Sequence, residues 1–338
     1  MLILGIETSC DDTAAAVVED GLVVRSSIVA SQDDIHSLYG GIVPELASRR
    51  HIEMIIPVVE RSLKTAGVAI GDIDGVAVTQ GPGLVGSILI GLSFAKSLSY
   101  SRGLPLTGVN HIEAHPMAAF LSEAGQGAKV PEFPFVALVV SGGHTTLLYF
   151  DSFTSYKVIG QTLDDAAGEA FDKVAKLLGL GYPGGGAIER VARTGEAAKV
   201  PLPRPLMSRG SLDFSFSGLK TAVLNVIKGR GALTEIDVSD IAAGFQEAAV
   251  DTLVQKAIWS IEATDARSLV LAGGVACNHR LRERLSEAAS REGFRLSVPE
   301  ARFCSDNGAM IAALGYHQIA MGALGNLDMN AIPTWEGF

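Results

Sequence analysis

The sequence predicts a duplicated α/β fold of two lobes, and three observations predict it. First, 338 residues, 48% hydrophobic and 19% charged, are enough for about two domains with real cores at ~100 to 200 residues each. Second, a pattern of strand, polar turn, strand, strand at the start returns in the same order after residue 135. Third, each copy runs through a helical region to a buried strand that ends in glycine and leads into another helix, as crossover units do.

The first copy opens with LILGIE (2–7), whose apolar run stops at Glu7. That is too short for a signal peptide or an anchor and reads as a strand. The polar turn TSCDD separates it from AAAVVE (14–19) and LVVRSSIVA (22–30), and PELASRRHIEMIIPVVERSLKTAG (44–67) has helical periodicity. GVAVTQGPG (75–83) is the buried return strand. In the second copy FVALVVSGGHTTLLYF (135–150) carries SGGH in place of the polar turn, followed by YKVIG (156–160), the helical EAFDKVAKLLGLG (169–181) and the return strand SLVLAGGVA (268–276). FRLSVP (294–299) is a last strand before the loop ARFCSDNGAM. The copies are unequal, because 182–217 is rich in Pro, Gly and Arg with weak periodicity and reads as an irregular insertion. The expected lobes are 1–133 and 134–325, with a closing helix at about 306–324 that packs back on the first lobe and an irregular tail at 326–338.

Composition excludes several classes. Three cysteines, Cys10, Cys277 and Cys304, without a C-x-x-C pair cannot build a disulfide framework and suit a reducing, cytoplasmic setting. No stretch reaches the ~18 apolar residues of a membrane helix, so no membrane partner is expected. A net charge of −10 argues against holding nucleic acid by bulk electrostatics. Charge is uneven, however: 190–230 carries eight bases against two acids, a local +6 that either faces a polyanion or is scattered solvated charge.

Three glycine-rich turns, Gly142-Gly143, Gly184-Gly185-Gly186 and Gly273-Gly274, fall around one expected cleft. Glycine lets backbone N–H groups approach phosphate oxygens. One such pair is more often a plain tight turn, but three in a duplicated fold point to an adenylate-like ligand. His111 and His115 in NHIEAHP lie four apart, with Asn110 as an N-cap, so both imidazoles share a helix face as a metal requires. Asp306 in FCSDNGAM is the candidate third ligand, and the set suits iron, zinc or manganese. Cys304 competes for that role but reads better as a buried thiol. A zinc protease is disfavoured: HExxH needs glutamate next to the first histidine, and here Glu113 sits about 200° round the helix from His111.

Asp11 and Asp12 occupy the first hairpin turn, where they either cap backbone N–H groups or supply a general base or cation-orienting carboxylate. Asp172 can accept from a ribose hydroxyl or an amine, whereas Asp164 and Asp165 read as caps of the same helix. Asn278 either binds adenine or caps the helix that follows.

GIETSCDDT (5–13), QGPGLVGSILIG (80–91), NHIEAHP (110–116), LVVSGGHT (138–145), DDAAGEAFDK (164–173), SFSGLK (215–220) and AGGVACN (272–278) together resemble the tRNA threonylcarbamoyladenosine transferases of bacterial TsaD type, over about residues 2–320. The resemblance implies the actin, sugar-kinase and heat-shock-ATPase fold, two lobes around a nucleotide cleft. It implies transfer of a threonylcarbamoyl group from threonylcarbamoyl-AMP to the exocyclic amine of the adenosine 3′ of the anticodon, in tRNAs reading codons that begin with A. By motif, His111, His115 and Asp306 would hold one divalent metal, iron or zinc. Val139, Val140, Ser141, Gly142, Gly143, Asp172, Gly185 and Asn278 would bind the adenylate, with Lys173 and Glu169 on the same wall. The implied partners are tRNA, a shorter paralogous subunit of the same fold and a small ATPase. One departure stands out: where many members read CDET, this chain reads Cys10-Asp11-Asp12-Thr13, a carboxylate one methylene shorter at position 12. The rival classes are an ATP-dependent small-molecule kinase of the same fold, which does not need the two histidines, and a non-catalytic scaffold, which need not keep a metal site.

Overall fold

Near-continuous apolar runs, buried on both faces in the first two strands, make β1 (Leu2–Glu7), β2 (Thr13–Glu19) and β3 (Val23–Ala30) an antiparallel meander. The computed structural model describes residues 1–123 and 130–335; residues 336–338 of the expected tail and 124–129 of the expected first lobe lie outside them. A short α1 (Asp33–His36) precedes α2 (Pro44–Ala66), which starts on a proline where no N–H is missed and stops at Gly67 in the left-handed region. β4 (Gly75–Gly81), α3 (Val85–Arg102), β5 (Leu106–Asn110), α4 (His111–Ala114) and β6 (Ser122–Glu123) follow. The sheet order is β5-β4-β1-β2-β3-β6, and β1, β4 and β5 are parallel, so their carboxyl ends share one edge.

The plan then repeats. β7 (Phe135–Val140), β8 (Thr145–Ser152) and β9 (Ser155–Gln161) lead to α5 (Ala167–Leu177), α6 (Gly184–Ala192), α7 (Ser217–Arg230), α8 (Glu235–Thr264), β10 (Ser268–Ala272), α9 (His279–Glu292) and β11 (Arg295–Ser297). The second sheet is ordered β11-β10-β7-β8-β9, the same succession as β5-β4-β1-β2-β3, again with three parallel strands on one side. The duplication expected from the strand patterns is therefore present in the hydrogen-bond ladders.

Two units emerge. The first comprises Met1–Val130, Ser152–Ser155 and Pro299–Phe338; the second comprises Pro131–Asp151 and Tyr156–Val298. The second lobe was expected to run to 325, with only the closing helix packing back. Instead the chain rejoins the first unit from Pro299, carrying α10 (Ala301–Cys304) and α11 (Gly308–Ala320). Small residues are the reason. α11 lies across β1, β2 and β4, and a Cβ added at Gly5 would stand 2.1 Å from the Gly308 carbonyl oxygen, one at Gly315 2.2 Å from Ala77 Cβ. α2 and α3 contribute Ile55, Val58, Val59, Ile88 and Leu92 to a core shared with Leu4, Ile6, Val17, Val76 and Val78, each such side chain worth ~1.5–3 kcal/mol of burial.

Two expectations in the insertion and its flank are corrected. Gly184-Gly185-Gly186 is not a turn but the first turn of α6, so 182–216 is helical over Gly184–Ala192 and otherwise irregular apart from a short 3-10 turn at Ala197–Lys199. Pro183 stands at the N-cap, the Asp172 carboxylate accepts from the Gly184 N–H at 2.7 Å, and α6 packs on α8, which together override the poor helix propensity of glycine. Asp164 and Asp165 do not cap α5. Asp164 accepts from the N–H groups of Phe216 and Ser217 and from both serine hydroxyls at the start of α7, while Asp165 pairs with Lys173 at 2.7 Å. The tail has no helix or strand up to residue 335 but is tied down: Ile332 N–H donates to Gln80 O at 2.8 Å and Gly83 N–H to Pro333 O at 3.1 Å. No helix among the described residues is long and apolar enough to cross a membrane.

Candidate active site

Within the first unit the carboxyl ends of three neighbouring parallel strands build the site, the usual place for ligands in α/β sheets. β5 ends at Asn110, whose side chain accepts from the N–H groups of Ile112 and Glu113 and so starts α4 with His111 at its first position. The α-helix is only four residues long and passes at His115 into a 3-10 turn, His115–Phe120. The two imidazoles still meet, with ring centroids 4.7 Å apart and planes at 77°. Asp306 arrives just before α11, placed by Asn307, which accepts from Met310 N–H as that helix's cap. Its Oδ1 stands 3.6 Å from His111 Nε2 and 3.4 Å from His115 Nε2. The three ligand atoms all lie within 4.8 Å of one another, a spacing that a metal ion fills.

The fit to a metal rests on an orphaned group. His115 is 1% exposed, and neither of its ring nitrogens makes a hydrogen bond, a costly state for buried polar atoms that a coordinated cation relieves. Burial lowers the His115 pKa, against the opposing pull of Asp306, so the ring is held neutral as a ligand must be. His111 goes the other way: burial works to lower it, but the Glu7 and Asp306 carboxylates outweigh that and lift it to about 9. Cys304 is not part of the group; its thiol donates to the carbonyls of Pro299 and Glu300.

Asp11 and Asp12 lie between β1 and β2, as the strand reading places them. Burial raises both carboxyls, helped by Asp306, and Asp12, facing Asp11 as well, is pushed up to about 7. Glu7 reads in the sequence only as the end of an apolar run. It is 0% exposed, and its Oε2 receives His111 Nδ1–H at 2.8 Å and the Thr79 hydroxyl at 2.6 Å. The signal available was a carboxylate closing an otherwise apolar strand.

The second unit gathers the other candidates. Val139 and Val140 end β7, wholly buried, and Ser141 Oγ accepts from His144 N–H across the turn. Gly273 follows β10 at φ 90°, and a Cβ there would meet the Val140 carbonyl oxygen at 2.3 Å, so the Gly273 turn lies directly against the end of β7. Gly142, Gly143 and Gly185 have open space where a side chain would stand. Asp172 joins α5 to the start of α6 through Gly184. Asn278 caps α9 by accepting from Leu281 N–H at 2.9 Å and donates to Gln246 Oε1 at 3.0 Å, so its side chain is oriented by the fold. A hollow lined by Glu189, Gln246 and His279 opens beside it. Lys173 is held by Asp165 and Glu169. In the basic segment 190–230, Arg204 is turned inward onto Asp251 at 2.6 Å and the Leu202 carbonyl, whereas Arg209 is 79% exposed, with only the half-exposed Glu262 carboxylate 3.7 Å away.

Two duplicated sheets with this strand order define a member of the actin, sugar-kinase and heat-shock-ATPase class. Solved structures agree at the level of fold: an (R)-2-hydroxyglutaryl-CoA dehydratase component A from Acidaminococcus fermentans (TM-score 0.54, 17% identity, 95% of this chain and 99% of that one) and a ROK hexokinase from Thermus thermophilus (0.50, 18%, 95% and 100%). The family model for TsaD, tRNA N6-adenosine threonylcarbamoyltransferase, matches residues 23–313. Proteins of that name from Geotalea uraniireducens strain Rf4 and Symbiobacterium thermophilum are 52% and 53% identical over 99% and 98% of this chain and 96% of their own length. The chain belongs to the tRNA N6-adenosine threonylcarbamoyltransferase family.

Proposed function

We propose that this protein transfers a threonylcarbamoyl group from threonylcarbamoyl-AMP to the exocyclic amine of the adenosine 3′ of the anticodon in tRNAs reading A-starting codons, releasing AMP. The observation that carries the reading is the His111, His115 and Asp306 group, with its orphaned buried imidazole, in a member of this family. A kinase of the same fold has no use for that pair of histidines, and a scaffold has no need to keep them.

The chemistry suits the residues. An adenine amine is a poor nucleophile because its lone pair is delocalised into the ring, so the acceptor must be an activated carbonyl with a good leaving group. The amine nitrogen bonds to the carbamoyl carbon, the bond from that carbon to the phosphate oxygen breaks, and AMP leaves with the electron pair. His111, His115 and Asp306 would hold a divalent metal, iron in the cell or zinc, which when bound supplies positive charge to the threonylcarbamoyl oxygens. Val139 to Gly143, Asp172, Gly185 and Asn278 take the adenylate, the open glycines admitting phosphate oxygens to the backbone. Asp11 or Asp12 receives the amine proton; Asp12, raised to about 7, is the better matched base at neutral pH. The protein works in the cytoplasm with a shorter paralogous subunit and a small ATPase, which share the task of holding tRNA with this acidic chain.

The test is mass spectrometry of nucleosides from the host's tRNA. Depletion of the protein abolishes threonylcarbamoyladenosine, and wild-type protein restores it but His111→Ala does not. Undiminished modification in depleted cells would overturn the assignment. For the base, Asp12→Asn slows single-turnover transfer by 10²-fold or more; an undiminished rate removes the residue from that role and leaves Asp11.

A further inference from the structure

Among the described residues, Glu7 is a fully buried carboxylate with three kinds of partner, each brought by a different piece of the sheet edge. β1, β4 and β5 are adjacent and parallel, and their carboxyl ends deliver Glu7, Thr79 and His111 side by side. Glu7 Oε2 accepts from His111 Nδ1 at 2.8 Å and from Thr79 Oγ1 at 2.6 Å, and Oε1 accepts from the Ser9 backbone N–H. Ser9 Oγ stands 3.2 Å from the same His111 nitrogen. Because the carboxylate can only accept, the proton between Glu7 and His111 sits on Nδ1. That leaves Nε2, the atom facing Asp306 at 3.6 Å, to ligate a cation in place of its proton.

His115 has no such support, for its Nδ1 makes no hydrogen bond. The two imidazoles are therefore unequal before any ligand arrives: the far nitrogen of one is clamped by a buried carboxylate that is itself braced from two sides, and the far nitrogen of the other has no hydrogen-bond partner. Burying a carboxylate for strand cohesion would be a poor use of it, since two apolar side chains join strands at lower cost. A carboxylate on the far nitrogen of a ligand histidine orients the ring and makes it a stronger donor.

We propose that Glu7 is the positioning residue of the metal site, fixing the orientation and proton placement of His111, so that His111 is the strong, preset ligand and His115 the adaptable one. Thr79 and the Ser9 N–H hold Glu7 itself. The proposal rests on the metal reading of the site, and the experiment separates the two. Metal-stripped wild type, Glu7→Gln, His111→Ala and the double variant are titrated with Zn²⁺ against a chromophoric chelator, and Co²⁺ absorption spectra are recorded. Glu7→Gln weakens Zn²⁺ binding about 10- to 100-fold and alters the Co²⁺ spectrum, yet adds no further loss in the His111→Ala background, because its effect passes through that ring. Unchanged Zn²⁺ affinity and spectrum in Glu7→Gln would overturn the proposal. So would an equal loss in both backgrounds, which would assign Glu7 to packing. If wild type itself takes up no Zn²⁺, the metal reading fails and the role falls with it. Glu7→Asp, which keeps the charge but withdraws the carboxylate by one methylene, answers the same questions should Glu7→Gln not fold.

Discussion

A carboxyl group surrounded by other carboxylates keeps its proton to unusually high pH, and Asp12 is in that position. In the metal-free protein it is raised by burial, Asp11 and Asp306 to about 7, against 3.8 for an ordinary aspartate. Between those values the folded state binds more protons than the unfolded chain, so the associated stability is fully present below about pH 4 and is lost as pH rises through 7. Asp12→Asn removes that loss: its melting temperature should exceed that of wild type at pH 8 and converge toward it near pH 4 in calorimetry. His115→Ala and Asp306→Ala should each strip the bound metal, read by elemental analysis of purified protein, and threonylcarbamoyladenosine formation with it. The histidine pair is legible in the sequence because i, i+4 spacing is local information. Asp306 lies so far along the chain that only the motif order ties it to them, and Glu7 carries no local signal at all beyond a charge at the end of an apolar run. The caps show the same divide: Asn110 declares itself by its position before a helix, whereas Asp164 serves a helix more than fifty residues downstream.

At the scale of elements, helices and strands follow from periodicity, and their partners do not. LILGIE and PELASRRHIEM become β1 and the start of α2 at the sequence limits, whereas the return strand read over 268–276 stops at Ala272, where Gly273 turns the chain. α6 departs further, since its three leading glycines disfavour a helix until Asp172 and α8 are present in space. The contact between Gly5 and Gly308 is likewise invisible along the chain. It predicts that Gly5→Ala, whose new Cβ would overlap the Gly308 carbonyl, lowers stability by ~1–3 kcal/mol or more in urea unfolding. The same change should weaken Zn²⁺ binding, since Asp306 sits two residues before the displaced carbonyl.

For the molecule as a whole, net charge of −10 leaves little attraction for a polyanion except where basic side chains stand free. Of the two arginines in the middle of the basic segment, Arg204 is engaged by Asp251 and the Leu202 carbonyl, and Arg209 is the more exposed. Arg209→Glu should weaken tRNA binding and lower its salt dependence by about one or more, in filter-binding titrations at two ionic strengths; an unchanged slope removes Arg209 from the contact. Arg204→Glu should instead act on stability. The discontinuity of the first unit reaches beyond equilibrium. On the ribosome His111 and His115 emerge about 190 residues ahead of Asp306, a delay of roughly 10–40 s at ~5–20 residues per second. For that interval β1, β2 and β4 lack α11, and the two imidazoles lack their carboxylate. On the proposed metal reading, capture would wait until the second unit has been synthesised, so a chain arrested partway through synthesis would withdraw no metal from the cell through the complete three-ligand group.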